Sequence, residues 1–179
     1  PALHSFPTRR SSDLAYAFKY GTEVYFLTLI ITGKHRAGLR QRLGFYNDIK
    51  PATAGTPAIW IHGASVGEVM AAKILATRIK REFPDAALIL STVTEQGFKI
   101  ARQQFGDMAS CIFAPLDLPG PVKRAAETIR PDIYICLETE LWPNLLARLQ
   151  SVNTRLFLLN GRLSERSSRR YRLMRSFSK

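Results

Sequence analysis

The chain has 179 residues, of which 46% are hydrophobic, 22% charged and 10% aromatic. This usage is typical of one globular domain with a buried core, and it excludes collagen-like, intrinsically disordered and disulfide-scaffold proteins. Lysine and arginine number 26 against 14 acidic residues, so the net charge of +12 predicts attraction to polyanions: nucleic acid, an anionic membrane, or a phosphorylated or carboxylated substrate.

The first residues differ in character from the rest of the chain. His4–Leu14 reads HSFPTRRSSDL, which is the in-frame translation of a common sequencing-adapter string. Residues 1–14 are therefore expected to be an artefact, and the natural N-terminus is expected to be missing.

Residues 15–46 form an apolar and basic segment. The apolar run Val24–Thr32 is followed directly by Lys34, His35 and Arg36. The run falls short of the roughly 20 apolar residues that a membrane helix needs. Two interpretations stay open: the end of an N-terminal membrane anchor with a basic cytoplasmic flank, or an amphipathic helix packed on the domain. Residues 47–56, which contain proline and glycine, are predicted to be a linker.

From residue 57 to residue 179, short β-branched runs alternate with stretches of helical period. The predicted strands are Ala58–His62, Ala87–Thr92, Ser110–Ala114, Asp132–Leu137 and Arg155–Leu159. The predicted helices are Glu68–Glu82, Gln96–Phe105, Pro121–Ile129 and Glu140–Gln150. This alternation predicts an α/β, Rossmann-like domain, with a parallel sheet and helices on both faces. Ligands of such sheets bind beyond the carboxyl ends of the strands, so the loops there are the candidate sites.

The loop after the first strand, Gly63–Glu68, supports more than one interpretation. Ser65 and Glu68 have the spacing of a capping box at a helix start. Glu68 also lies where a carboxylate could accept a proton from a substrate hydroxyl, and both roles can hold together. The loop also matches the G-x-S-x-G pattern of α/β-hydrolases, but no histidine follows Ser65 in the chain. A hydrolase that uses Ser65 is therefore the weaker alternative.

The loop after the second strand brings hydroxyl groups to another helix start. Thr92 and Thr94, with nearby backbone N–H groups, could bind an anion. Simple capping of the helix by Thr94 explains the same residues equally well.

The loops after the fourth and fifth strands are also polar. Glu138 and Glu140 follow the fourth strand, although Glu140 could simply favour the positive end of the next helix. Asn160, Arg162 and Arg166 follow the fifth strand. Arginine forks suit phosphate and carboxylate oxygens, whereas a run of charges is usually a solvated helix face.

Five motifs together resemble, in order and spacing, the N-terminal half of the 3-deoxy-D-manno-octulosonic acid (Kdo) transferases of bacterial lipopolysaccharide synthesis. They are IWIHGASVGEV, LSTVTEQGFKIAR, FAPLDLPGPVKR, PDIYICLETELWPNLL and LLNGRLSERSSRRYR, and the preceding GKHRAGLRQRLGFY is similar to the stretch that follows the membrane anchor in that family. The resemblance implies the N-terminal half of a GT-B glycosyltransferase that transfers Kdo from CMP-Kdo to a lipid A precursor, lipid IVA. It also implies inversion at the anomeric carbon, no metal or other cofactor, and a location on the cytoplasmic face of the bacterial inner membrane.

By position, the family's proposed catalytic base falls on Glu68. The remaining candidates for substrate binding are Ser65, Gly67, Thr92, Thr94, Glu138, Glu140, Asn160, Arg162 and Arg166. The resemblance implies that the nucleotide is bound mostly by a second domain, which is expected to lie outside this chain. Residues 15–179 alone are therefore expected to be inactive in transfer, with affinity for the acceptor or the membrane retained.

The alternative from a different class is a non-catalytic basic module that binds lipid or nucleic acid. The interleaved aromatic and basic residues of a single-strand binder are absent from the predicted strands. An anionic lipid and membrane surface, rather than nucleic acid, are therefore the expected partners.

Overall fold

Strands and helices alternate along the chain as the hydrophobic pattern predicts. The computed structural model describes residues 37–47, 49, 52, 55–137 and 142–159. In chain order the elements are α1 (Leu39–Arg42), β1 (Ala58–His62), α2 (Val66–Glu82), β2 (Ala87–Thr92), α3 (Glu95–Phe105), β3 (Ser110–Phe113), α4 (Pro119–Ile129), β4 (Ile133–Leu137), α5 (Pro143–Ser151) and β5 (Arg155–Leu159). All five predicted strands are confirmed, and β1, β2 and β5 have the predicted bounds. Residues 1–36, with the apolar run Val24–Thr32, lie outside the described part.

The five strands form one parallel sheet in the order β3-β2-β1-β4-β5. The chain builds outward from β1 to β3 and then returns to place β4 on the other side of β1. The strand order therefore reverses between β1 and β4, and a crevice for ligands is expected beyond their carboxyl ends.

Helices cover both faces of the sheet, as a parallel sheet requires. On one face, β1 and β2 side chains such as Ile61 and Leu90 pack with residues of α2 and α3, including Val69 and Ala101. On the other face, Trp60 and Tyr134 belong to a second cluster with residues of α4 and α5. The predicted α/β Rossmann-like architecture is confirmed.

Residues 37–46, the described part of the segment interpreted as membrane-proximal, pack on this domain. Arg42 is buried, and its guanidinium donates to the carbonyl of Val93 over 2.6 Å. Gln41 Oε1 accepts from Phe113 N over 2.9 Å, and the Tyr46 hydroxyl donates to Phe113 O over 3.0 Å. Because Val93 follows β2 and Phe113 ends β3, this segment crosses the carboxyl ends of those two strands.

Across the described residues, no helix is long and apolar enough to cross a bilayer. The strand β5 is an edge of the described sheet, and all five of its residues are exposed.

Candidate functional site

The Ser65 cap predicted at the start of α2 is formed, but Glu68 bonds to Ala64 N and the Ser65 hydroxyl instead of the predicted Ser65 backbone. Ser65 is the N-cap residue, and its Oγ accepts from Glu68 N over 3.3 Å. Glu68 Oε1 accepts from the Ser65 hydroxyl over 2.7 Å, and Oε2 accepts from Ala64 N over 2.8 Å. The carboxylate thus reaches the backbone one residue before the cap, and both of its oxygens are held by the loop.

The Glu68 side chain keeps acceptor capacity although its residue is only 6% exposed. Each oxygen receives one of these hydrogen bonds, whereas an ionised carboxylate offers about four acceptor positions. The carboxylate also lies in the first turn of a 17-residue helix, whose positive end favours an anion. A Cβ at Gly63 would lie 3.1 Å from Glu68 Cβ, so the glycine allows the side chain to lie close to the loop.

The end of β2 holds this loop in place. Gly63 N donates to Ser91 O over 3.0 Å, and Thr92 Oγ1 donates to Ala64 O over 3.4 Å. The Thr92 hydroxyl therefore joins the first loop to the second. The position of the Glu68 carboxylate depends on β2 as well as on its own helix.

Thr94 is the N-cap residue of α3, and its Oγ1 accepts from Gly97 N over 3.0 Å. Gly97 is buried beneath both threonines, because a Cβ there would lie 2.5 Å from Thr92 Oγ1 and 2.9 Å from Thr94 Oγ1. Sequence reasoning did not single out Gly97, although a glycine in the first turn of a helix was an available signal.

The structure brings half of the predicted site residues to one edge of the sheet. Ser65, Gly67 and Glu68 follow β1, while Thr92 and Thr94 lie at the end of the neighbouring β2. Ser65, Gly67 and Thr94 are exposed, whereas Glu68 and Thr92 are buried. The other candidates lie outside the described residues: Glu138, Glu140, Asn160, Arg162 and Arg166.

Asp117 caps the N-terminus of α5 from a distant loop. Its carboxylate accepts from Leu145 N over 2.8 Å and from Asn144 N over 3.1 Å, and its carbonyl accepts from Asn144 Nδ2 over 2.6 Å. Trp142, the N-cap residue of α5, makes no capping hydrogen bond through its own side chain. The positive end of this helix is thus occupied by a carboxylate of the protein. Sequence reasoning missed Asp117, because its partners are about 27 residues away.

A buried polar group lies beneath the first loop. Trp60 Nε1 donates to Ser91 Oγ over 2.8 Å, and His62 Nδ1 lies 2.9 Å from the same oxygen. Burial lowers the pKa of His62 to about 4, against a smaller opposite effect of a hydrogen bond with the Ser91 backbone, so the imidazole is neutral at pH 7. The His62 ring stacks on Tyr134, and the Trp142 ring stands perpendicular to it at 5.7 Å. The sequence pattern alone gives no sign of a role for His62 or Ser91.

The contacts of Ser65 do not favour a hydrolase. The Ser65 hydroxyl donates to Glu68. In the described part of the chain the only histidine is His62, and its ring contacts Ser91 instead of Ser65. Those same residues contain no group of three or more His, Cys, Asp or Glu side chains that could hold a metal ion.

A family model and two relatives agree on one family. The family model described as 3-deoxy-D-manno-octulosonic-acid transferase (kdotransferase) matches residues 37–179. A 3-deoxy-D-manno-octulosonic acid transferase of Haemophilus influenzae is 38% identical over 139 residues, which are 77% of this chain and 32% of that protein. One of Chlamydia trachomatis is 32% identical over 164 residues, which are 90% of this chain and 37% of that protein. The chain thus spans about a third of the length of these relatives.

Among solved structures, a crystal structure of the DszA carbon methyltransferase aligns with a TM-score of 0.37 and 17% sequence identity. The alignment covers 78% of this chain and 33% of that one, and the likeness is too weak to support an argument.

Proposed function

Because this chain belongs to the 3-deoxy-D-manno-octulosonic-acid transferase family, we propose that it is the acceptor-side domain of a GT-B glycosyltransferase in lipopolysaccharide synthesis. The proposed reaction transfers Kdo from CMP-Kdo to a lipid A precursor, lipid IVA, with inversion at the anomeric carbon. CMP-Kdo is a substrate in this scheme, and the proposal includes no metal or other cofactor. We assign most of the CMP-Kdo site to a second domain beyond this chain, since the relatives are about three times as long.

Glu68 is the proposed general base, and its geometry is the observation that carries the proposal. The carboxylate lies after β1 where the strand order reverses, and Ala64 N and Ser65 Oγ fix its orientation. In the proposed step, an acceptor hydroxyl gives its proton to Glu68 as its oxygen attacks the anomeric carbon. The bond from that carbon to the phosphate oxygen breaks, and CMP leaves with the electron pair. A positioned base of this kind is worth about 10²–10⁴-fold in rate.

The outer side of α2 supports a lipid as the partner. Val66, Met70 and Ile74 lie on successive turns of this helix and are exposed, Ile74 to 77%. Arg81 falls on the same side at the helical period, while Lys73 lies at its border and its Nζ donates to Gln104 Oε1 of α3 over 2.6 Å. Apolar and cationic side chains together suit an anionic lipid surface. This stripe begins beside the Glu68 loop, so acyl chains on the stripe would place a lipid head group near the proposed base. We therefore propose a location on the cytoplasmic face of the bacterial inner membrane.

The test is Kdo transfer by the whole protein, assayed with CMP-Kdo and lipid IVA. Glu68→Gln retains the side-chain shape and removes the base, so kcat is expected to fall at least about 100-fold. The matched control is Glu82→Gln at the exposed end of the same helix, which is expected to leave kcat unchanged. Thermal unfolding of each variant checks that the fold is intact.

Two results would contradict the proposal. Wild-type rates in a folded Glu68→Gln variant would exclude Glu68 as the base. The absence of transfer by the wild-type protein, together with salt-sensitive binding to lipid or nucleic acid, would favour a non-catalytic basic module.

A further inference from the structure

His62 carries a buried nitrogen that the fold does not use. His62 is the last residue of β1 and is 1% exposed. Its Nδ1 lies 2.9 Å from Ser91 Oγ, whereas Nε2 is buried and has no hydrogen-bond partner in the described part of the chain. Buried polar atoms are nearly always paired in folded proteins, so an unpaired one requires an explanation.

The neighbouring hydrogen bonds indicate which nitrogen of His62 holds the hydrogen. Among the described residues, Ser91 Oγ is within hydrogen-bond distance of Trp60 Nε1 and His62 Nδ1. The indole N–H can only donate, so it uses a lone pair of the serine oxygen. The Ser91 hydrogen is then left for His62 Nδ1, which must accept it. The ring hydrogen therefore belongs on Nε2.

The opposite tautomer would be less favourable. If Nδ1 carried the hydrogen, the Ser91 hydroxyl would have no acceptor among these groups, and Nε2 would be an unpaired acceptor. Two buried groups would lack partners instead of one. Because burial also keeps the ring neutral at pH 7, Nε2–H remains a single N–H donor that needs an oxygen.

We propose that His62 is a substrate-binding residue whose Nε2–H donates a hydrogen bond to an oxygen of the acceptor. This inference rests on the function proposed above. His62 ends β1 at the reversal of strand order, where ligands of such sheets bind. Ala64, two residues further along, already holds the Glu68 carboxylate. The sugar and phosphate groups of lipid IVA are rich in oxygen acceptors, which an N–H donor can bind.

Two aromatic rings, Tyr134 and Trp142, adjoin the His62 imidazole. The Trp142 ring stands perpendicular to the imidazole with 5.7 Å between ring centroids, and Nε2 is fully covered. We infer that contact with the acceptor displaces the half-buried Trp142 side chain, because Tyr134, the other ring at the imidazole, is only 1% exposed. Trp60, in contrast, is fully buried and bonded to Ser91, and is expected to stay in place.

Two substitutions separate the two nitrogens of His62. In His62→Asn the amide reaches the position of Nδ1 and can still bond to Ser91, but nothing replaces Nε2. In His62→Gln the amide reaches the position of Nε2 and supplies a donor there. We expect His62→Asn to raise KM for lipid IVA about tenfold in the whole protein, with a smaller change in kcat, and His62→Gln to restore KM to within about threefold of wild type.

Equal KM values in the two variants, whether both raised or both normal, would overturn the proposal. Equal losses would indicate that His62 only supports the fold.

A measurement on the wild-type side chain does not depend on these variants folding. In ¹⁵N-histidine-labelled whole protein at pH 7, we expect the His62 signals to show hydrogen on Nε2 and a bare Nδ1. Addition of lipid IVA should shift the Nε2–H proton downfield and change tryptophan fluorescence, as Trp142 moves. Hydrogen on Nδ1, or an Nε2–H signal that lipid IVA does not move, would overturn the proposal.

The same titration in a Glu68→Gln background separates this inference from the function on which it rests. A shifted Nε2–H signal in a variant that still transfers Kdo would disprove the base and leave the His62 assignment standing. If the variant has lost transfer and lipid IVA does not move the Nε2–H signal, the result would disprove the His62 assignment and leave Glu68 as the base.

Discussion

Glu68 meets a structural and a chemical requirement with one carboxylate. Its oxygens accept from Ala64 N and the Ser65 hydroxyl, and these contacts fix the side chain before any substrate arrives. A group that is already oriented loses little conformational entropy in the transition state. Glu68 can therefore cap the helix and act as the proposed base, because the capping hydrogen bonds hold its carboxylate in one orientation.

Gly97 and Gly67 allow a matched test of the second loop. A Cβ at Gly97 would overlap Thr92 Oγ1 at 2.5 Å, whereas a Cβ at Gly67 has its nearest neighbour, Ser65 Oγ, at 4.0 Å. We expect Gly97→Ala to lower the free energy of unfolding by about 1–3 kcal/mol through overpacking. Gly67→Ala is expected to be neutral or stabilising by up to about 1 kcal/mol, since alanine is the better helix former. Urea unfolding measures both, and equal stabilities would contradict the close packing of Thr92 on Gly97.

The buried imidazole of His62 predicts a dependence of stability on pH. Its pKa is about 4 in the fold against 6.5 for an ordinary histidine, because burial disfavours the charged ring. Between those values the unfolded chain binds the proton that the folded chain excludes. The free energy of unfolding should therefore fall as the pH is lowered from 6.5 to about 4, by at most about 1.4 kcal/mol per pH unit.

Urea unfolding at a series of pH values tests this dependence. His62→Gln has no ionisable group at the position, so its stability should fall less steeply in the same pH range. Parallel curves for the two proteins would show that another group is responsible.

At the scale of the element, β5 combines an apolar sequence with an exposed position. Its side chains are apolar on both faces of the sheet from Leu156 to Leu159, a pattern typical of a strand covered on both sides. In the described part of the chain, however, Phe157 is 49% exposed and β5 is an edge. Exposed apolar edge strands pair readily with other chains.

We therefore expect the 179-residue chain to self-associate in solution through β5. Phe157→Lys should raise the monomer fraction in sedimentation velocity several-fold, because a charge on an edge strand opposes pairing. Val152→Lys places the same charge on an exposed residue just outside the strand and serves as the control. A monomeric wild-type chain, or an equal effect of both substitutions, would contradict this role of β5.

At the scale of the whole molecule, the net charge of +12 and the apolar stripe on α2 make a joint prediction. The chain is expected to bind vesicles that contain phosphatidylglycerol, and to release them as salt screens the charge. Ile74→Glu should weaken this binding several-fold at constant salt, because Ile74 is the most exposed of the apolar residues Val66, Met70 and Ile74. Phe83→Glu makes the same change of charge on an exposed residue after the end of α2 and is the control. Vesicle flotation measures the bound fraction, and identical loss in both variants would indicate that net charge alone governs binding.

The reversal of strand order connects these features. The sheet places the loops after β1 and β2 side by side, so that Glu68, Thr92 and Thr94 belong to one edge. The segment containing Arg42 crosses the ends of β2 and β3, while a ligand is expected at the reversal of strand order between β1 and β4. Burial lowers the pKa of Arg42, and its contacts with the carbonyl of Val93 and the ring of Phe113 help to hold it there.

Much of the secondary structure could be read from local pattern. Short β-branched runs marked every strand, and the spacing of Ser65 and Glu68 marked the start of α2 to within two residues. The start of α5 was misplaced at Glu140 instead of Pro143, because its cap, Asp117, comes from another loop. The helix α1 was missed because four residues are too few to show a helical period.

The sequence by itself determined the α/β class, the strands, the capping box and the family, because each of these depends on neighbours within a few residues or on ordered motifs. Only the tertiary structure decided that β1 lies between β2 and β4, that Ser91 bonds to both Trp60 and His62, and that Asp117 caps α5. These contacts join residues about 27 to 31 positions apart. Their partners are set by the register of the sheet and by the packing of the helices on it, which no local pattern encodes.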